Sequence, residues 1–139
     1  MTAWRARFQM WLLLTGMMVI HVSATESLPN TPEAMLLFHG SAALLDWLLL
    51  CIAPKLLSGR LCDHTQWLFL ASICGNAAGW ILYMRYAPPS YYNSFMWWLT
   101  VAQWVRLFIP DSYDVDYSWL PLVRYRDCVG DSGHFGKVQ

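Results

Sequence analysis

The chain has 139 residues, a length suited to one compact unit. It is 57% hydrophobic and only 13% charged, with Lys+Arg and Asp+Glu balanced at 9 each, whereas an ordinary soluble domain is about 45–50% apolar and about 25% charged. That balance excludes disorder over most of the chain and removes the basic stripe that nucleic-acid binding requires, which leaves an integral membrane protein.

The first apolar stretch, Phe8 to Ala24, follows Arg5 and Arg7. Read as a helix from Trp4, it is long enough to cross a hydrocarbon core of about 30 Å. The same basic start, apolar run and small residues Val22 and Ala24 also describe a secretory signal peptide. Residues 1–24 are therefore expected to be a signal-anchor or first transmembrane helix, with cleavage after Ala24 as the alternative. Either reading carries Thr25 across the membrane.

The second stretch is better delimited. Thr31, Pro32 and Glu33 supply a helix cap, a first-turn proline and a first-turn acid. Pro54 is expected to end the helix. The span 32–53 would be about 33 Å long. It contains Asp46, and an acid near the middle of a span costs about 2.5–3.5 kcal/mol on insertion scales. Leu36, Leu37, Leu44, Leu45 and the run Leu48–Leu50 offset that.

Asp63 followed by Gln66 reads as a variant capping box and predicts a third helix over 64–86, ended before Pro88 and Pro89. The fourth, 91–109, has Ser90 as its cap and Pro110 as its stop. Arg106 lies in its last turn, where a long side chain can snorkel to the interface. Trp97 and Trp98, with Tyr83, Tyr86, Tyr91 and Tyr92, read as an aromatic belt at headgroup level. Residues 110–139 form a polar tail.

The expected fold is thus all-α, an integral membrane bundle of four transmembrane helices: residues 1–24, then a three-helix unit over 25–109. Short connections make successive helices antiparallel neighbours. Orientation follows the cations. Arg5, Arg7, Lys55, Arg60, Arg124, Arg126 and Lys137 fall on one side of a four-pass chain, and Arg85 alone on the other. Both termini are therefore expected in the cytoplasm, with a bacterial inner (plasma) membrane as the expected location. Cys62 and Cys128 would face a reducing compartment, and no structural disulfide is expected.

Three groups of residues stand out. Ser72, Gly75 and Gly79 share one face of the third helix, and the GxxxG spacing lets backbones approach closely in lipid. His39, Asp46 and Asn76 are the intramembrane polar candidates. Asp46 would be either a proton or cation site or, as the favoured reading, a neutral or hydrogen-bonded contact that joins helices, with His39 or Asn76 as its partner. Trp97, Trp98 and Arg106 are the interfacial anchors. Cys62, His64, Cys128 and His134 are zinc-ligand types at unsuitable spacings. The Gly130–Gly133 segment lacks a triad. No catalytic residue, metal site or cofactor is therefore expected, and the chain is not expected to be an enzyme.

The function expected from these features is that of a small polytopic membrane protein acting through helix–helix contacts, an accessory subunit or modulator of a larger membrane partner. The alternatives are a holin-like permeabilising oligomer and a small transporter or channel using Asp46. The expected partners are the lipid bilayer and another membrane protein or a second copy of the chain, and no nucleic acid.

Overall fold

Thr31 caps a helix with its side-chain oxygen: its Oγ1 accepts a hydrogen bond from the Ala34 N–H at 3.3 Å, and Pro32 takes the first helical position. In the computed structural model, which describes residues 3–109, this is the second of four helices: α1 (Ala3–Thr25), α2 (Pro32–Leu56), α3 (Gly59–Met84) and α4 (Pro89–Phe108). No strand occurs among the described residues. The expected cytoplasmic tail, with Cys128 and His134, lies outside them.

The helices close into a ring. α3 packs on α2 and α4, and α1 packs on the same two. The connections are too short for anything but antiparallel neighbours. At one end of the bundle the start of α1 meets the finish of α4. Arg7 is buried there and donates from Nη1 to the carbonyls of Leu107 at 3.2 Å and Ile109 at 2.7 Å. A guanidinium placed on carbonyls that a helix end leaves unpaired satisfies them and suits the negative end of the helix dipole. At the other end, His21 of α1 reaches α2, with Nε2 3.1 Å from the Phe38 carbonyl and 3.0 Å from Ser41 Oγ.

The apolar core is not spread along the whole bundle. Met10, Leu49, Ala53, Cys62, Phe69 and Leu107 are buried together, nearer the end where Arg7 sits. Outward-facing positions carry large apolar side chains, among them Ile20, Leu37, Trp47 and Ile81. α1, α2 and α3 are long and apolar enough to cross a membrane.

Besides α3 ending at Met84 rather than at residue 86, the helices differ from the expected ones in four respects. Pro54 does not stop α2, which continues to Leu56. A proline inside a helix withholds the N–H that residue 50 would accept. Here Gln66 of α3 supplies a donor, its Nε2 lying 3.5 Å from the Leu50 carbonyl. Secondly, α3 begins at Gly59 with Ser58 as its cap residue, a turn ahead of Asp63. Gly59 takes φ +58°, a left-handed conformation open to glycine, and this lets the chain reverse within Leu57 and Ser58. Thirdly, α4 starts at Pro89 rather than behind Ser90, because proline fits the first helical turn. Fourthly, three helices rather than four meet the length and hydropathy of a membrane span. α4 falls short because it carries Tyr91, Tyr92, Asn93, Ser94, Gln103 and Arg106 in 20 residues.

The α3–α4 connection is a Schellman turn. The Ala87 N–H donates to the Leu82 carbonyl and the Tyr86 N–H to Tyr83, each at 3.0 Å. Its left-handed position, usually glycine, is Tyr86 at φ 56°.

Candidate functional site

Four polar side chains of α2, α3 and α4 converge on one place. Asp46 projects from α2 toward α3, where Ser72 and Asn76 stand one turn apart on the facing side. Ser72 Oγ donates to Asp46 Oδ2 at 2.6 Å, and Asn76 Nδ2 donates to the same oxygen at 3.3 Å. Asn76 Nδ2 also donates to the Ser72 carbonyl at 3.1 Å. Its Oδ1 accepts from Tyr92 Oη of α4 at 2.8 Å. An acid, a hydroxyl, an amide and a phenol thus link α2, α3 and α4 in one chain of hydrogen bonds. In a low-dielectric interior such a chain is held together because each member would be costly to leave unpaired.

Two glycines make this possible. A Cβ at Gly79 would lie 2.5 Å from Tyr92 Cδ2 and 2.7 Å from His39 Cε1. A Cβ at Gly75 would lie 2.7 Å from Phe95 Cε1 and 2.9 Å from Met96 Sδ. The GxxxG face is therefore filled by this chain's own α4 and by His39. Ser72 on that face is a hydrogen-bond donor as well as a small residue.

The remaining candidates are distributed differently. His39 does not reach Asp46. It is buried, with its ring edge-on to Tyr92 at 4.8 Å between centroids. Tyr92 faces into the bundle rather than joining an aromatic belt. Trp97 and Trp98 are exposed near the middle of α4, about 12 Å along it from Pro89. Arg106 turns toward α3, where its Nε donates to His64 Nδ1 at 2.8 Å, and its Nη1 donates to the Ile109 carbonyl at 3.2 Å.

Two cavities flank the hydrogen-bonded chain. The central one, about 120 Å³, is lined by residues of all four helices, including His21, Asp46, Ser72, Thr100 and Gln103. The other, about 570 Å³, lies at the end of the bundle opposite Arg7, among Phe38, His39, Tyr83, Tyr86 and Asn93. Tyr92 belongs to the wall of both. Among the described residues no cluster of His, Cys, Asp and Glu has the composition of a metal centre.

Sequence reasoning missed Arg7, Ser72 as a donor, and Tyr92. The spacing of Ser72 and Asn76, one turn apart, was the available signal for a facing acid. Nothing local marks Tyr92, whose neighbour Tyr91 is exposed. The chain matches no model of a known protein family, no characterised protein and no solved structure. What is established is a helical bundle with three helices able to cross a membrane and a polar cluster in its interior.

Proposed function

We propose that this chain is a four-pass membrane protein, with α1 retained and both ends cytoplasmic, that serves as an accessory subunit or modulator of a larger membrane protein. The fourth crossing is supported by the direction in which α4 turns its polar groups. Tyr92, Thr100 and Gln103 line the bundle interior, while Phe95, Trp97, Trp98, Val105 and Phe108 are exposed; Tyr91, Asn93 and Ser94, also exposed, lie in the first two turns, at the end of the span. Its 20 residues give about 30 Å of helix, the thickness of the hydrocarbon core. The retention of α1 is supported by its share in the core, through Met10 and Leu14, and by the Arg7 and His21 hydrogen bonds.

The observation that carries the partner is Gly40. It lies within α2 in a shallow apolar face formed by Leu36, Leu37, Ser41 and Leu44, with Glu33 at its edge. A Cβ there would meet nothing within 4 Å. Glycine inside a helix costs about 0.5–1 kcal/mol relative to alanine, and no packing among the described residues offsets it. A helix of another membrane protein laid against Gly40 would offset it through close backbone contact. A permeabilising oligomer has less support, since such a pore needs outward polar faces and the polar network here is consumed internally.

A photo-crosslinker at Leu37 or Leu44 in native membranes should therefore give one discrete protein adduct, lost in Gly40→Leu while the bundle stays folded. Adducts to lipid alone, or an adduct indifferent to Gly40→Leu, would refute the reading.

A further inference from the structure

The central cavity has a donor–acceptor imbalance. The hydroxyl groups on its wall have each committed their proton elsewhere. Ser72 Oγ donates to Asp46, Tyr92 Oη to Asn76, and Thr100 Oγ1 to the Met96 carbonyl at 2.8 Å. Gln103 Nε2 donates to the Leu68 carbonyl at 3.4 Å. His21 Nε2 lies 3.1 Å from the Phe38 carbonyl, which calls for a proton on that nitrogen. What the three hydroxyls leave for the cavity is lone pairs, while Gln103 keeps one amide N–H and its carbonyl oxygen.

Asp46 adds to the imbalance. Both of its hydrogen bonds fall on Oδ2, so Oδ1 accepts none among the described residues, and Asp46 lines the cavity. Gln103 is only 6% exposed, and its Oε1 likewise accepts none. Oxygens that border such a space without a donor are better matched by a positive charge than by an apolar group. The space, about 120 Å³, exceeds what one water needs.

We propose that this cavity is a binding site for one small monovalent metal cation. Asp46 Oδ1 is the charged ligand, and neutral oxygens of Thr100 and Gln103, with water, complete the shell. Hard oxygen donors select alkali or alkaline-earth ions over the transition metals. The single carboxylate then decides the charge. His21 from α1, His39 from α2 and Tyr92 from α4 are the other titratable groups near it, and none is an acid of its strength. One carboxylate neutralises one positive charge, whereas a divalent ion would leave an excess charge in the membrane interior. The site is independent of the Gly40 surface and of any partner.

The test uses the full chain in detergent micelles at constant ionic strength, with choline chloride replaced stepwise by sodium, lithium or potassium chloride. Sodium should raise the unfolding temperature saturably, and radioactive sodium should bind in a ratio approaching one per chain. Asp46→Asn, which keeps the shape and a hydrogen-bonding oxygen, should lose the response. Thr100→Val should keep it but raise the half-saturating concentration about tenfold, the loss of one hydrogen-bonding oxygen to a charged group. Thr100→Val also provides the reading if Asp46→Asn does not fold. An equal response to choline and to all three metals overturns the proposal. So does an unchanged half-saturation in Thr100→Val. A protein whose stability follows pH through Asp46 but ignores every metal ion would bind a proton there instead, and that too overturns it.

Discussion

Replacing Gly79 by alanine adds one methyl group to a place with no room for it. The new Cβ would stand 2.5 Å from two ring carbons of Tyr92 and 2.7 Å from His39 Cε1. Neither ring is the loose end of a flexible chain. Tyr92 is tied through Oη to Asn76 and rests against the His39 edge. Overpacking of this kind costs about 1–3 kcal/mol. Swinging Tyr92 aside to relieve it forfeits a membrane hydrogen bond of about 0.6 kcal/mol. Against this, alanine in a helix gains about 0.5–1 kcal/mol over glycine. The net expectation for Gly79→Ala, the overpacking cost less the helix gain, is a loss of about 0–2.5 kcal/mol. Gly40→Ala, with nothing within 4 Å of its new Cβ, should instead gain about 0.5–1 kcal/mol for the isolated bundle. The two substitutions are chemically identical and should have opposite signs. Reversible unfolding in mixed micelles, followed by far-ultraviolet circular dichroism, measures both. If Gly79→Ala were as stable as Gly40→Ala, the packing of α4 against the GxxxG face would be refuted.

Two further outcomes are expected. Arg7→Leu should lower stability by about 1.5–3 kcal/mol in the same assay, since it removes charge-assisted bonds to the Leu107 and Ile109 carbonyls; Arg7→Lys should recover part of it, because an ammonium donates to carbonyls without the planar fork of arginine. A neutral Arg7→Leu would remove the tie between α1 and α4. Reporter fusions after Asn30 and after Pro89 should be active only outside the cytoplasm, and those after Gly59 and Gln139 only inside; a cytoplasmic signal at Pro89 would eliminate the fourth crossing.

What the sequence determined by itself is local. The α2 start follows from Thr31 and Pro32, because a side-chain cap and a proline act within one turn. The apolar lengths of α1, α2 and α3 follow from summed hydropathy, which needs no knowledge of neighbours. The Gly75–Gly79 face was visible as a packing surface for the same reason. The sequence marked Asp46 as a residue in need of a partner and offered His39 and Asn76; the hydrogen bond in the structure is with Asn76. Only the tertiary structure decided that Ser72, Asn76 and Tyr92 meet the acid, that Gln66 supplies a donor behind Pro54, and that Arg7 joins the end of α4. The reason lies in the solvent. In water an apolar stripe tells which face of a helix turns inward. In lipid an apolar side chain is equally at home on either face. The rotation of each helix is then set by a few small and polar residues whose partners lie 16 to 102 positions away along the chain.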